Sequence, residues 1–336
     1  MQSYATDIQA AATQALPWSK FSGKNILITG ATGLIGGCLV DILMSRPGID
    51  YHVYASGRNE ERAMERFSAY RSAPHFHFIR HDVTNELESD LTFHYIIFAA
   101  SNASPNFFQQ SPVEVMKSNL DGLCHLVEYG LRHQMKRMVY ISSGEVYGEG
   151  DGSVFTEESS GHIDILSPRA CYPSSKRAAE TLCAAYIQEY GADIVIARPC
   201  HTYGPYFTES DNRVYAQFIR NILNDEDIVM KSRGEQFRSW LYVVDCAVAM
   251  LLLLTKGNSG EAYNVANEES NITIRQLAEE IAKIGNKKVV FDLAENGNTT
   301  PITKAVFSTE KLNQLGWKPL FSIEEGLAHT IQSMRL

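Results

Sequence analysis

The chain has 336 residues, 44% of which are hydrophobic, so it can bury a sizeable core as one large domain or two smaller ones. Its formal net charge is −9 and no cluster of lysine and arginine residues stands out, which argues against a nucleic-acid partner. A locally basic pocket on such an acidic chain is still compatible with an anionic substrate.

The cysteines and the apolar segments bear on the compartment. The six cysteines are scattered without a C-x-x-C pair, which indicates neither a disulfide framework nor a zinc site, and we expect no bound metal. Residues 1–20 lack the basic start and the long apolar core of a signal peptide. The apolar run over residues 247–255 is too short to cross a bilayer and predicts a buried helix. We therefore expect a soluble, cytoplasmic protein without a membrane partner.

The first predicted elements lead into a glycine-rich loop. A helix over residues 4–15 lies in an N-terminal helical extension, residues 1–22, whose purpose the sequence does not reveal. An apolar, β-branched run over residues 25–29 predicts a buried parallel strand. Gly30, Gly33 and Gly36 follow with the spacing G-x-x-G-x-x-G, and residues 38–44 continue as a helix.

Strand, glycine loop and helix together predict a phosphate cradle. Glycine lets the main chain approach a pyrophosphate closely, and the helix N-terminus offers free N–H groups and partial positive charge. An ordinary glycine-rich turn is the alternative, but the flanking strand and helix are the context that a dinucleotide-binding loop requires.

The next elements alternate between strand and helix. Further strands are predicted over residues 52–56, 76–80, 94–100, 138–142 and 192–198, and helices over residues 60–70, 113–131 and 178–190. This alternation predicts an α/β fold with a Rossmann-type doubly wound parallel sheet, whose cofactor lies across the carboxyl ends of the strands.

The pattern changes beyond residue 204, where the loops become longer. Helices are predicted over residues 214–223, 272–284 and 323–334, and a hairpin-like piece over residues 228–232. We interpret residues 23–199 as an NAD(P)-binding Rossmann domain and residues 200–336 as mainly a smaller C-terminal substrate-binding α/β lobe, with an interleaved boundary.

A candidate catalytic group follows the fifth strand. Tyr172 and Lys176 are four residues apart, so on a helix they share one face. A lysine ammonium beside a phenol favours the phenolate and lowers its pKa, which suits tyrosine to acid–base work. Ser143, at the end of the fifth strand, can bond the same substrate oxygen. Alone, the tyrosine–lysine pair would be read as a solvated helix face; the glycine loop and the serine favour a catalytic site.

With these motifs the chain resembles the extended short-chain dehydrogenases, the NAD-dependent epimerase/dehydratase superfamily that acts on nucleotide-activated sugars. The resemblance covers nearly everything from Asn25 to about Lys318. Within the family, four stretches look most similar to the UDP-glucuronate decarboxylases: residues 168–172, 176–183, 212–214 and 238–242.

The resemblance implies roles by position. The catalytic set is Ser143, Glu145, Tyr172 and Lys176, with Glu145 near the sugar C5 and Asp82 facing the adenine ring. Together with the glycine loop and the strand ends, the resemblance implies a cofactor-binding set of Gly30, Thr32, Gly33, Leu34, Ile35, Gly36, Ser56, Arg58, Asp82, Val83, Ala99, Ala100, Ser101, Asn119, Tyr172 and Lys176. The implied substrate-binding set is Ser104, Ser143, Gly144, Glu145, His201, Arg213 and Arg238.

The two arginines of the substrate set have an alternative. A guanidinium fork suits a diphosphate, which Arg238 would hold, with Arg213 as the weaker candidate. A surface salt bridge is the competing interpretation for both.

Three positions depart from the family pattern. Gly144 stands where dehydratases carry an acid and decarboxylases a hydroxyl, which disfavours 4,6-dehydration. His201 stands where the family usually has an asparagine near the substrate phosphates. The second strand ends without the acidic residue that usually accepts the ribose hydroxyls of NAD, and Arg58 suits a 2′-phosphate, so NAD is expected while NADP stays open.

Three functions are compatible with the sequence. A 4-keto intermediate formed by hydride removal leads to decarboxylation or epimerisation with recycled NAD. A net NAD(P)H-dependent reductase of a nucleotide-activated keto-sugar or polyol is the alternative, motivated by Gly144 and Arg58. A non-catalytic NAD(P)-binding sensor or scaffold is the alternative of another class. The family also implies a homodimer through the helices over residues 113–131 and 172–190.

Overall fold

The computed structural model describes residues 3–101, 103–209, 211–293 and 304–335. The α-helices are α1 (Tyr4–Ala12), α2 (Leu34–Ser45), α3 (Glu60–Arg66), α4 (Pro105–Gln110), α5 (Pro112–Arg132), α6 (Cys171–Tyr190), α7 (Val214–Leu223), α8 (Val243–Lys256), α9 (Ile274–Gly285), α10 (Glu310–Gln314) and α11 (Ile323–Met334). The strands are β1 (Asn25–Thr29), β2 (His52–Gly57), β3 (Phe76–Arg80), β4 (Tyr95–Phe98), β5 (Arg137–Ile141), β6 (Ile194–Pro199), β7 (His201–Tyr203), β8 (Ile228–Met230), β9 (Phe237–Tyr242), β10 (Ala262–Val265), β11 (Asn271–Thr273), β12 (Val289–Phe291) and β13 (Lys304–Ala305).

The main sheet has seven parallel strands in the order β10-β6-β5-β4-β1-β2-β3. The strand order reverses between β1 and β4, where Thr29 lies opposite Phe98. A ligand crevice is expected outside the carboxyl ends of the strands at such a switch point. The predicted doubly wound α/β fold is confirmed, and the carboxyl ends of β1 and β4 position the site.

One strand of this sheet comes from the part of the chain assigned to the lobe. The sequence pattern did not single out β10, yet Ala262 pairs with Ile196 of β6 at the sheet edge. The chain therefore returns to the main sheet after forming strands β7, β8 and β9, which belong to two smaller sheets. The division at residues 199 and 200 stays a prediction.

The remaining strands form two smaller sheets. One sheet has the order β11-β9-β13 with β7 also paired to β9, and a separate pair joins β12 to β8. The hairpin-like interpretation of residues 228–232 is wrong, because β8 pairs in parallel with β12, Ile228 opposite Val289. Parallel strands need a long crossover, which here contains α9, and local sequence does not reveal such a partner.

The N-terminal extension is fixed to the body of the protein. The α1 helix ends at Ala12, three residues earlier than predicted, and it buries Ile8, Ala11 and Ala12. The carboxylate of Asp7 accepts a hydrogen bond from the Tyr242 hydroxyl at 2.8 Å. Its Oδ2 also lies 2.8 Å from Nδ1 of His329 in α11.

The apolar run over residues 247–255 lies in α8, whose side chains are buried almost throughout, as predicted. Across the described part of the chain, we find no helix that combines the length and the apolar character needed to cross a membrane.

Candidate active site

A cavity of about 1690 Å³ opens at the carboxyl ends of the parallel strands. It is lined by the glycine loop, by the segments after β4 and β5, by the first turn of α6 and by residues of β7 and β9. All but two of the predicted site residues line it. The exceptions, Ser56 and Asn119, are buried behind its wall.

The glycine loop forms a close-packed cradle. Gly30 has a φ of +63°, and a Cβ added there would lie 2.7 Å from the carbonyl oxygen of Ala99. A Cβ on Gly36 would lie 2.4 Å from the carbonyl oxygen of Gly30. The backbone can therefore take this path only with glycine at both positions, and it exposes the N-terminus of α2 to the cavity. These features fit the pyrophosphate of a dinucleotide.

A charged cluster lies where the adenosine of such a cofactor would end. Nη1 of Arg58 lies 2.9 Å from Oε1 of Glu114 and 4.0 Å from Oδ2 of Asp82. Burial acts to raise the pKa of Asp82, but hydrogen bonds from Thr84 and the charge of Arg58 lower it overall. Arg58, which suggested a 2′-phosphate site in the sequence, is thus flanked by two carboxylates.

Buried hydroxyl and amide groups support the cleft. Ser101, which follows β4 at the cavity wall, has a buried hydroxyl without a hydrogen-bond partner among the described residues. Asn119 donates a hydrogen bond of 2.9 Å to the Ser175 hydroxyl, which joins α5 to α6. Asn119 therefore stabilises the packing of α5 against α6, outside the cavity. Ser101, in contrast, has a hydroxyl group that can form a hydrogen bond with a ligand.

The predicted catalytic residues converge on one wall. Ser143 follows β5 and accepts a hydrogen bond of 3.1 Å from the amide of Glu145. Tyr172 and Lys176 lie in the first turns of α6, and Nζ of Lys176 is 5.7 Å from the centre of the Tyr172 ring. The Lys176 ammonium donates a hydrogen bond of 2.8 Å to the carbonyl of Ile141, at the end of β5. Helix α6 is thereby tied to the strand that carries the serine.

The pKa of Tyr172 differs from the sequence expectation. Burial raises it to about 12, and the negative charge of Glu145 also acts to raise it. A hydrogen bond with Ser143 and the charges of Arg213 and Arg169 act in the opposite direction. The prediction that the lysine lowers this pKa is wrong for this geometry.

The state of Lys176 accounts for its weak effect on the pKa of Tyr172. Burial lowers its own pKa to about 7, with Glu180 and Cys183 acting to raise it. A group whose pKa lies near neutrality carries only part of its positive charge at pH 7, and this amine is directed at the Ile141 carbonyl. The positive charge that acts on Tyr172 comes instead from the two arginines.

Arg169 lies in the stretch 168–172 that carries the family resemblance, but it was not among the predicted site residues. Its Nη2 atom lies 3.0 Å from both carboxylate oxygens of Glu145. Burial raises the pKa of Glu145, and Arg169 acts to lower it. The available signal was the spacing, because Arg169 precedes Tyr172 by three residues, which places both on one side of a helical turn.

The space beside Gly144 is occupied by an aromatic ring. A Cβ added at Gly144 would lie 2.5 Å from Cζ of Phe307. Phe307 packs with Tyr147 and Phe155, at centroid distances of 5.7 Å to each. Where the family resemblance leads us to expect a hydroxyl or an acid at position 144, the structure has an apolar wall formed by Phe307, a feature that sequence spacing does not reveal.

Two predicted substrate residues lie on paired strands. His201 of β7 opens to the cavity, and its ring centre is 5.3 Å from that of Trp240. Desolvation by the surrounding protein lowers the pKa of His201 to about 4, and the nearby charges of Arg238 and Arg213 contribute. Arg238 lies in β9 with its side chain largely buried, and burial lowers its pKa.

The other two substrate residues have partners near the cavity mouth. Nε of Arg213 lies 2.9 Å from Oδ1 of Asp211, so the salt-bridge interpretation holds for Arg213 while it still lines the cavity. The hydroxyl of Ser104 donates to Oδ1 of Asn212 at 3.0 Å, which links the start of α4 to the loop before α7.

Comparison with known proteins adds independent information. Residues 26–266 match the model of the NAD dependent epimerase/dehydratase family. The chain is 33% identical over 341 residues to UDP-glucuronic acid decarboxylase 1 of Xenopus tropicalis, covering 98% of this chain and 77% of that protein. It is also 33% identical over 326 residues to UDP-glucuronic acid decarboxylase 3 of Arabidopsis thaliana, covering 95% of this chain and 92% of that protein.

Solved structures also resemble this fold. UDP-glucose 4-epimerase from Thermotoga maritima, crystallised with UDP-glucose, superposes with a TM-score of 0.80 at 27% identity. The superposition covers 93% of this chain and 98% of the epimerase. The fold is thus shared with an enzyme that binds a nucleotide sugar.

Proposed function

Since the chain belongs to the NAD dependent epimerase/dehydratase family, we propose that it is an enzyme that modifies a nucleotide-activated sugar through a 4-keto intermediate. The observation that carries the proposal is the convergence of Ser143, Tyr172 and Lys176 beside the glycine cradle in one cavity. A cavity of this size is large enough for a dinucleotide and a nucleotide sugar together.

NAD is the proposed cofactor, on the cradle of Gly30 and Gly36 and along the segment that contains Ser101. When bound, NAD supplies the acceptor and later the donor of the hydride. Arg58 supports NAD over NADP, because Glu114 and Asp82 flank its charge and their carboxylates oppose a 2′-phosphate. No acidic residue ends β2. Asp82, which follows β3, and Glu114, which lies in α5, supply the negative charge near this position instead.

Tyr172 is the proposed proton acceptor for the sugar hydroxyl. The Ser143 hydroxyl acts to lower the pKa of Tyr172, and both side chains line the cavity, so a substrate oxygen can contact both hydroxyl groups. Ser143 then holds the oxygen while Tyr172 holds the proton. Lys176 fixes the approach of α6 to β5 through the Ile141 carbonyl.

Decarboxylation of a nucleotide-activated uronate is the first candidate outcome. A ketone at C4 accepts the electron pair that is released when the C5 carboxylate leaves as CO2, and protonation of C5 follows. The decarboxylase relatives, matched over almost the whole chain, support UDP-glucuronate as the substrate. The glycine at position 144 leaves no side chain there to act as the acid for water elimination.

Two other outcomes use the same site. Epimerisation is supported by the similarity to a UDP-glucose 4-epimerase. Net reduction of a keto-sugar or polyol is favoured by Phe307, which replaces the polar group beside Glu145 with an apolar wall. A non-catalytic sensor is disfavoured, because it would have no use for a tyrosine, a lysine and a serine assembled beside the cradle.

We further propose a homodimer that acts in the cytoplasm. Helices α5 and α6 pack together and expose Met116 and Tyr190 on their outer sides, which supports a paired-helix interface. All six cysteines are free thiols, which fits a reducing compartment. Light scattering at several concentrations measures the subunit number directly.

Two measurements on the purified protein test the proposed function. Mass spectrometry of the small molecules released on denaturation should find NAD in about one copy per chain. Incubation with UDP-glucuronate and with UDP-glucose, followed by chromatography and mass spectrometry, identifies the outcome. Released NAD with no change in any nucleotide sugar would support the sensor; an empty protein that binds NADPH more tightly than NADH would support the reductase.

A further inference from the structure

Arg169 contacts two parts of the candidate site at once. One nitrogen of its guanidinium lies 3.0 Å from each oxygen of Glu145. Its guanidinium carbon lies 4.5 Å from the centre of the Phe108 ring, in cation–π contact. Phe108 in turn stacks on Tyr172, with ring centres 4.7 Å apart and planes inclined by 22°.

These contacts join separate segments of the chain. Arg169 lies in the short turn Pro168–Ala170, which runs directly into α6, and Tyr172 is the second residue of that helix. Glu145 lies in the turn Gly144–Tyr147 after β5, and Phe108 belongs to α4. The side chain of Arg169 therefore connects three segments: the turn that follows Ser143, helix α6 with Tyr172, and helix α4.

We propose that Arg169 is a positioning residue: its guanidinium holds Glu145 as a carboxylate aimed into the cavity, and its contact with Phe108 fixes the ring that stacks on Tyr172. The proposal rests on the proposed function for its catalytic meaning, but its structural content does not depend on turnover. In this role Arg169 opposes the burial that raises the pKa of Glu145 and so favours its carboxylate form.

The charge balance around Glu145 is consistent with this role. Burial favours the neutral acid, and Arg169 is the cation that acts on it. Within the described part of the chain, Tyr172 and Cys171 are the other titratable groups that interact with Glu145, and neither is cationic. The side chain of Glu145 is 41% exposed, so loss of Arg169 removes the positive charge from a partly solvated carboxyl.

The chain offers a matched control for Arg169. Arg275 lies 2.8 Å from Oε1 of Glu279 and 5.3 Å from the Phe291 ring centre, so it has the same two kinds of contact. The side chain of Arg275 is 56% exposed, compared with 46% for Arg169. Neither Arg275 nor Glu279 lines the cavity.

The test measures the titration of Glu145 directly. Protein labelled with ¹³C at the glutamate side-chain carboxyl is titrated by NMR, and the Glu145→Gln variant identifies the resonance. In Arg169→Met we expect the pKa of Glu145 to rise by about 0.2–0.7, the size expected for a partly exposed ion pair, whereas Arg169→Lys should retain most of the wild-type value. Arg275→Met should leave the resonance of Glu145 unchanged.

A kinetic readout separates positioning from a structural role. In Arg169→Met the acidic limb of the kcat/KM profile should move to higher pH together with the Glu145 titration. The value of kcat should fall by about 10–100-fold, and NAD affinity should stay at the wild-type value. Arg169→Lys should restore the pH limb but only part of kcat, because an ammonium cannot stack on Phe108 as a planar guanidinium does.

The outcomes are distinguishable. An inactive wild-type enzyme would count against the proposed function, while the titration would still decide the role of Arg169. If the methionine variant does not fold, Arg169→Lys and Arg169→Gln decide, because lysine should keep the Glu145 titration and glutamine should raise it. A Glu145 titration equal to wild type in all folded Arg169 variants would overturn the proposal.

Discussion

The ring of Phe307 fills the space that a side chain at position 144 would need, with its Cζ only 2.5 Å from where a Cβ on Gly144 would stand. The two residues are far apart in sequence. The ring of Phe307 can occupy this position only because residue 144 has no side chain. A glycine at this position leaves room for the ring beside the turn after β5.

The Gly144–Phe307 contact predicts energetic coupling. Gly144→Ser should lower the free energy of unfolding by about 1–3 kcal/mol through overpacking, and Phe307→Ala by about 3–5 kcal/mol through the cavity that it leaves. The double variant should lose less than the sum, because the serine enters the space that the ring vacates. Urea unfolding of the four proteins measures this, and simple additivity would contradict the contact.

Replacement of Tyr172 by phenylalanine tests the proposed proton acceptor. The variant keeps the ring that stacks on Phe108 and loses only the hydroxyl, so NAD binding should be retained. Turnover of the nucleotide sugar should fall by about 10²–10⁴-fold. Fluorescence titration with NAD and product analysis give the two readouts. Full activity in this variant would remove Tyr172 from the mechanism.

The flanked Arg58 predicts cofactor preference. The wild-type protein should bind NAD more tightly than NADP, because Glu114 and Asp82 oppose the additional phosphate. Glu114→Gln should improve NADP affinity by about 2–5-fold, the equivalent of an exposed charge contact of about 0.5–1 kcal/mol. NAD affinity should change little.

The control for this cofactor prediction is Glu279→Gln, an exposed carboxylate outside the cavity, which should leave both affinities unchanged. A wild-type protein that prefers NADP, or a Glu114→Gln variant with unaltered NADP affinity, would refute the preference derived from the cluster.

Buried Asp245 predicts a pH dependence of stability. Burial raises the pKa of its carboxyl to about 7 in the folded protein, although the amides of Leu320 and Phe321 act to lower it. The unfolded value is about 3.9, so the folded state holds a proton that the unfolded state has released. This contribution is full below about pH 4 and is lost as the pH rises towards 7 and through it.

Asp245→Asn isolates this contribution. Between pH 5 and 7 the free energy of unfolding of the wild type, minus that of the variant, should fall by about 1 kcal/mol per pH unit. Urea titrations at several pH values measure the difference. A constant difference across this range would show that Asp245 does not titrate in the folded protein.

Sequence alone was sufficient for elements with strong local patterns. The bounds of β1, α7 and α11 agree with the residues predicted, because β1 is a continuous apolar run and the two helices have apolar residues at helical spacing. The glycine loop and the α6 pair were also recognisable, since their residues lie within one or two turns of each other. Local chemistry therefore predicted the glycine loop and the helix that carries Tyr172 and Lys176.

Contacts between distant residues were beyond the reach of sequence patterns. Nothing local indicates that Ile228 pairs with Val289, or that β10 joins the main sheet. The same holds for Arg58, which follows β2 and whose charge is offset by Glu114 of α5, and for the contact of Asp7 with His329 of α11. The failed pKa prediction for Tyr172 has this cause too, because burial is a property of the assembled fold.

The most direct test of the proposed function uses UDP-glucuronate labelled with ¹³C at C6 and the purified wild-type protein. Decarboxylation predicts labelled CO2 and a nucleotide pentose, with the NAD still bound to the protein at the end. Complete recovery of the labelled carboxyl group in nucleotide sugar, by a protein that retains NAD and is fully folded, would contradict decarboxylation.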